Sequence, residues 1–244
     1  MTSRKDTIWQ ADRVASKYLT GIRRAIPFAD AQIDIMLRLI DATDRPVNSF
    51  IDLGCGGGPL GAAMSDRYPN ARGVLIDFSR AMLDAARDAL GTRDNIEFLA
   101  LDYGDSSWLE SVTTNAPYDA IVSGYSIHHQ PDIRKQSLYQ EIYNLLTPGG
   151  MFVNIEHVEP TSPICFRLFE DHVIDNLYAI EQDLGGPRTR DQLAHEFRAR
   201  EDGQANILAP IDAQLKWLRD IGFTDVDCHF KLYELAILAG SKPA

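Results

Sequence analysis

Phe50-Ile51-Asp52-Leu53-Gly54-Cys55-Gly56-Gly57-Gly58 is the stretch that decides the fold. A short apolar run carries one acid, breaks into glycines, and is followed by Pro59-Leu60 at the start of a helical pattern. That texture reads as a buried strand entering a tight turn and then a helix. Glycines at such a turn let backbone N–H groups approach a ligand, and a helix start favours an anionic one. The turn by itself also reads as a plain strand-to-helix connection, so its surroundings must decide.

Working outward, the run at 49–53 is followed by four more at 73–76, 96–101, 120–122 and 151–155, each tied to a helical stretch. Short, near-continuous apolar runs separated by helices mark a parallel sheet buried on both faces. Thr147-Pro148-Gly149-Gly150 reads as a turn just before the fifth run. Upstream, Ile8, Val14, Tyr18 and Ile22, then Ile33, Met36, Leu37 and Ile40, recur at helical spacing, with Pro27 breaking the run. Downstream, 159–210 reads as polar helix interrupted at 185–187 and 201–203. A helix at 211–221, the turn Gly222-Phe223 and two runs at 226–230 and 233–238 close the chain. Those last runs are almost contiguous, which predicts an antiparallel hairpin at a sheet edge.

The expected architecture is therefore one α/β domain around a doubly wound sheet. It comprises a helical cap (1–45), a ligand-binding core (46–157), a helical lid (158–210) and a C-terminal helix and hairpin (211–244). Such a sheet binds its ligand beyond the carboxyl ends of the strands, at the switch point beside the first strand.

With 45% apolar and 24% charged residues the chain has the composition of a globular protein, which argues against general disorder. Its net charge of −11 repels polyanions, so nucleic acid is an unlikely partner. No run approaches the roughly 20 apolar residues that span a bilayer, and Met1-Thr2-Ser3-Arg4-Lys5-Asp6 does not read as a signal peptide. Cys55, Cys165 and Cys228 are few, odd in number and widely spaced, which suits free thiols in a cytoplasmic protein.

Three acids recur at strand ends. Asp77 closes the second run, where a carboxylate takes both hydroxyls of a ribose. Asp102 closes the third, where it can accept from an adenine amino group. Asp52 ends the first, and the alternative for each is a solvated surface acid. No Gly-Lys-Ser/Thr follows the glycines, which excludes a P-loop, and Pro59 takes the third glycine's place of a dinucleotide fingerprint.

The stretch 50–58 resembles the first signature of class I S-adenosylmethionine-dependent methyltransferases. Leu75-Ile76-Asp77-Phe78-Ser79-Arg80-Ala81-Met82-Leu83 is similar to their second, 97–102 to their third, and Tyr118-Asp119-Ala120-Ile121-Val122-Ser123 to their fourth. The turn at 145–150 and the terminal hairpin also fit, over about 45–157 and 211–240. This resemblance implies a seven-stranded sheet of order 3-2-1-4-5-7-6 with the last strand antiparallel. It implies S-adenosylmethionine as cofactor and S-adenosylhomocysteine as product. Gly54 and Gly56 are then expected at the methionine portion, Asp77 at the ribose, Phe78 and Met82 on the adenine faces, and Asp102 at the amino group. Asp52, Cys55, Tyr103 and Ser123 complete the expected cofactor-binding set. Residues 12–27 resemble the N-terminal segment of carboxy-S-adenosylmethionine synthases and related small methyltransferases, which folds over the cofactor. There Arg24, or Arg23, is expected to pair with the methionine carboxylate, the alternative being a solvent-facing position.

Ser126-Ile127-His128-His129 follows the fourth run and Glu156-His157 ends the fifth. Neighbouring strands would bring His128 or His129 to Glu156, forming a histidine oriented by a carboxylate that suits a general base. Some sugar O-methyltransferases resemble this arrangement; the alternative is a histidine packed under the lid. Tyr18, Tyr103 and Tyr125 are candidates for the same cavity. No metal is expected, because methyl transfer needs none. The expectation is methyl transfer to oxygen or nitrogen of a small molecule, by a possible homodimer, with His128, His129 and Glu156 as the base unit. Nucleoside or tRNA-pathway chemistry, carboxy-S-adenosylmethionine formation, and non-catalytic cofactor binding are the alternatives.

Overall fold

A computed structural model of the chain describes residues 4–20 and 22–244, and the side chains of all of these except 22 and 23. The five apolar runs fold as parallel strands β1 (Ser49–Leu53), β2 (Arg72–Asp77), β3 (Ile96–Ala100), β4 (Tyr118–Gly124) and β5 (Leu146–His157). Their side chains alternate between two apolar layers. Ile51, Leu53, Val74, Ile76, Ile121 and Phe152 join one core, while Phe50, Leu75, Ala120, Val122, Val153 and Ile155 join the other. Both faces of the sheet are dry, which is why the runs read as continuously apolar.

Helices seal both faces. Met36 and Ile40 of α2 (Ala29–Asp41), Met64 of α3 (Pro59–Arg67) and Leu83 and Ala86 of α4 (Arg80–Leu90) pack on one side. Trp108 and Val112 around the short α5 (Leu109–Val112), Leu138 and Ile142 of α6 (Asp132–Leu145), and Leu215 and Leu218 of α9 (Ile211–Ile221) pack on the other. Pro59 opens α3 at its first position, where a missing N–H costs nothing.

The sheet order is β3-β2-β1-β4-β5-β7-β6, with β7 (Leu235–Ser241) antiparallel to both β5 and β6 (Thr224–Leu232). The hairpin turn is Tyr233-Glu234, and Tyr233 takes φ of 52°. One detail departs from the sequence reading. The residues of Thr147-Pro148-Gly149-Gly150 are a bulge inside β5 and not a turn before it, since Tyr118 pairs with Leu146 and Ala120 already with Met151. Gly150 is required there: a Cβ would meet the carbonyl oxygens of Thr147 and Asp119 at 2.9 and 3.0 Å.

Ahead of the sheet lie a 3-10 turn (Asp6–Gln10) and α1 (Asp12–Thr20). Between β5 and α9 come α7 (Pro163–Asp183) and α8 (Arg190–Arg198), which share a small core of Phe169, Val173, Ile174, Ala194 and Phe197 with Leu235 of the hairpin. Ser162 accepts from the Cys165 N–H at the start of α7, and Thr189 and Gln192 form a reciprocal capping box at α8. No helix among the described residues is long and apolar enough to cross a membrane.

Candidate active site

The carboxyl ends of β1 to β4 open onto a cavity of about 720 Å³, and the N-terminal segment runs across it. Gly54 makes its sharpest corner. It sits at φ of 68°, and a Cβ there would lie 1.9 Å from Ser126 Oγ, so only glycine lets β1 and the loop after β4 approach this closely. Gly56, at φ of 53°, donates its N–H to Asp77 Oδ2 at 2.9 Å, and Ser79 N–H donates to Asp77 Oδ1 at 2.8 Å. Burial nevertheless pushes the Asp77 carboxyl up to about 6, because two N–H donors only partly replace the lost water. Burial, with Asp52 and Asp77 nearby, also raises the Cys55 thiol.

Gly54, Cys55, Gly56, Asp77, Phe78 and Met82 all line this cavity, as do Asp102 and Tyr103. Tyr103 Oη is hydrogen-bonded to Ser126 Oγ. Three of the expected cofactor contacts fall elsewhere. Asp52 accepts from Gly61 N–H at 2.7 Å, the start of α3, and so supports the loop from behind. Ser123 donates to Leu53 O at 2.7 Å and is fully buried, because its strand position points into the sheet interior. Arg24 is exposed and lines neither cavity, and the Arg23 side chain lies outside the described residues. Among the described residues the arginine lining this cavity is instead Arg4, forked onto Asp102 at 2.7 and 3.1 Å and onto buried Asp6 at 3.0 and 2.7 Å. Gln130 donates to the same Asp6 at 3.0 Å. No local pattern announces Arg4, whose partner is 98 residues away.

A second cavity, of about 600 Å³, adjoins the first. Trp9, Tyr18, Tyr125 and His129 line both. Its remaining walls include Phe169 of α7, Phe197 at α8, Arg200 and His157. The expected histidine–carboxylate contact is present: His128 Nδ1 lies 2.7 Å from Glu156 Oε1. Glu156 also accepts from His157 N–H and from Asn154 Nδ2. Burial lowers His128 and raises Glu156 to about 7, so both are driven toward their neutral forms. Burial thus weighs against a fixed ion pair at this contact. Asn206 is a further side-chain partner of His128.

His129 packs against His128 with ring centroids 4.1 Å apart and planes inclined at 53°, and lies 5.5 Å from the Trp9 ring. Its Nδ1 lies 3.3 Å from Ala205 O, and a carbonyl can only accept. Nδ1 therefore carries the proton, and Nε2 of the neutral ring holds a lone pair. Burial, reinforced by His128, keeps His129 neutral well below its ordinary range. A second pair, His157 Nε2 to Glu234 Oε2 at 2.7 Å, stands on the same cavity wall.

Residues 50–150 match the methyltransferase domain family. The chain is a class I S-adenosylmethionine-dependent methyltransferase. Over 98% of its length the methyltransferase is 26% identical to a carboxy-S-adenosyl-L-methionine synthase of Helicobacter hepaticus, whose whole length is covered. Over 50% of its length it is 34% identical to a demethylmenaquinone methyltransferase of Lactococcus lactis, of which 47% is covered. Its fold is similar to that of PigF with S-adenosylhomocysteine (TM-score 0.61, 20% identity), covering 99% of this chain and 63% of that one.

The cavity at β1–β4 fits S-adenosylmethionine. It has a buried carboxylate at the end of β2 and a cradle at Gly56, where a Cβ would find nothing nearer than Met82 Sδ at 4.0 Å.

Proposed function

We propose that this enzyme transfers a methyl group from S-adenosylmethionine to an oxygen or nitrogen of a small molecule, with His129 as the general base. The observation that carries this reading is the place of His129 in the wall shared by the two cavities, with Nε2 left as the basic nitrogen. When bound, the cofactor supplies an electrophilic methyl group on a sulfonium. Asp77 takes the ribose hydroxyls, Phe78 and Met82 flank the adenine, and the backbone at Gly54 and Gly56 borders the methionine portion.

The second cavity holds the acceptor. Trp9, Tyr18, Phe169 and Phe197 give it apolar walls that exclude water. There His129 Nε2 takes the proton that the acceptor atom loses as it becomes methylated. His128 and Glu156 act behind it, fixing the ring that packs against His129. Alignment of nucleophile and methyl carbon supplies most of the remaining rate enhancement. On this reading 1–45 is the cap, 46–157 the cofactor-binding core, 158–210 the lid and 211–244 the closing helix and hairpin of one domain. The enzyme then works in the cytoplasm.

The full-length similarity to a carboxy-S-adenosyl-L-methionine synthase favours a second reading, transfer of a carboxyl-bearing group to the cofactor itself. Mass spectrometry of ligand retained through purification separates the two. S-adenosylmethionine or S-adenosylhomocysteine supports methyl transfer to an acceptor, and a carboxylated sulfonium overturns it. The base is tested directly: His129→Gln should abolish methylation in a cell extract supplied with labelled cofactor while leaving S-adenosylhomocysteine affinity intact.

A further inference from the structure

The N-terminal segment places a guanidinium on the very carboxylate expected to read adenine. Of the five N–H donors of Arg4, Nε and one Nη2 proton go to Asp6, and one Nη1 proton and the other Nη2 proton go to Asp102. One Nη1 proton is left without a partner among the described residues. On Asp102, Oδ1 accepts from both Arg4 Nη2 and Gly104 N–H, at 3.1 and 2.7 Å. Among the described residues Oδ2 accepts from Arg4 Nη1 alone, at 2.7 Å, and so keeps a lone pair. The cavity thus contains an adjacent donor and acceptor with capacity to spare, about 2.7 Å apart.

Adenine presents the complement, an amino donor beside a ring-nitrogen acceptor. We infer that Arg4 and Asp102 together read the cofactor's adenine: Asp102 Oδ2 accepts from the exocyclic amine and Arg4 Nη1 donates to the neighbouring ring nitrogen. Arg4 does not need Asp102 for anchorage. Its Asp6 partner is 4% exposed and is itself held by Gln130. The fork onto Asp102 accordingly serves the ligand edge, turning one oxygen to the base. The inference rests on adenine lying at Asp102, as in the proposed function.

Hypoxanthine replaces the amine by a carbonyl, which sets an acceptor against Asp102 Oδ2. Calorimetry with S-adenosylhomocysteine and S-inosylhomocysteine therefore reads the pair. The wild-type chain should prefer the adenosyl ligand by about 30-fold or more, as expected when a site's hydrogen-bonding group is left facing a mismatch. Arg4→Ala should weaken the adenosyl ligand about tenfold and the inosyl ligand by less than about threefold, shrinking the preference. A segment that merely closes the cavity would weaken both ligands equally; an unchanged ratio in Arg4→Ala overturns the role given to Arg4. Asp102→Ala separates the two levels. If it collapses the preference while Arg4→Ala does not, only Arg4 is misassigned. If neither variant changes the ratio, adenine does not lie at Asp102 and the site assignment falls with the inference.

Discussion

Removing the Asp77 carboxylate should cost the enzyme its cofactor while leaving the sheet intact. The side chain is 7% exposed, and each oxygen already accepts one backbone N–H, from Gly56 and Ser79. Each carboxylate oxygen retains a lone pair, enough for the two ribose hydroxyls. Hydrogen bonds to a charged group contribute about 1.5–3 kcal/mol each, so losing two of them in Asp77→Ala forfeits about 3–6 kcal/mol of binding, a weakening of roughly 10² to 10⁴-fold. The same site imposes a pH dependence. Burial raises this carboxyl from 3.8 to about 6, and the ribose requires the ionised form. Below pH 6 binding must first expel a proton, so affinity falls by about tenfold per pH unit there and levels off above it. The assay is calorimetric titration with S-adenosylhomocysteine from pH 5 to pH 8, on the wild-type chain and on Asp77→Asn. Wild-type affinity should drop about tenfold at pH 5 relative to pH 8, and the variant should be weak and lack this component. An alanine variant within threefold of wild type, or a wild-type curve flat across pH 6, would refute the assignment.

Four further outcomes follow from the geometry. His129→Gln should lower kcat by about 10² to 10⁴-fold, the usual range for a general base, with cofactor affinity within about twofold. Because burial holds His129 below the ordinary histidine range, the acid limb of the kcat/KM profile should lie below pH 6.5 and disappear in that variant. Ser123→Ala should cost about 1 kcal/mol in denaturant unfolding through the lost bond to Leu53 O, and should leave cofactor affinity unchanged. Lys135 is fully buried and bonds Asp132 Oδ1 and Ile207 O, tying α6 to the segment after α8. Its replacement by alanine should lower stability by about 2 kcal/mol or more, read as a lower thermal midpoint.

The sheet was legible because burial on both faces leaves short, unbroken apolar runs spaced between helices. The bulge at 147–150 was not, since proline and glycines look the same in a turn and in a strand that must skip four residues. Site residues followed the same division. Gly54, Gly56, Asp77 and Asp102 stand at strand ends, where sequence position fixes spatial position, and all four line the cavity. Ser123 is one residue earlier on its strand than the end, and alternation turns it inward to Leu53. Arg24 and Arg4 differ more deeply. Arg24 sits in a 3-10 segment (Ile22–Ala25) and Arg4 just ahead of another, and the docking of both is set by tertiary contacts, so the chain alone offers no reason to prefer one arginine. Only the pairings of Asp6 with Gln130 and of Arg4 with Asp102 bring the earlier residue to the cavity.

The two histidines differ in hydrogen bonding, which sequence pattern does not show. His128 has the textural signature of a catalytic residue, a carboxylate at 2.7 Å, and that contact occupies its Nδ1. With Asn206 as a further partner it is held more firmly than its neighbour. His129 has the weaker partner, a single carbonyl at 3.3 Å, and for that reason keeps Nε2 for chemistry. It also borders both cavities, whereas His128 borders only the second. On the proposed function the pair divides the work: Glu156 fixes His128, His128 supports the ring of His129, and His129 meets the acceptor. If Asn206→Ala were to shift the kcat/KM profile as strongly as His129→Gln, that division would be wrong, because a change beside His128 should matter that much only if His128 is the base.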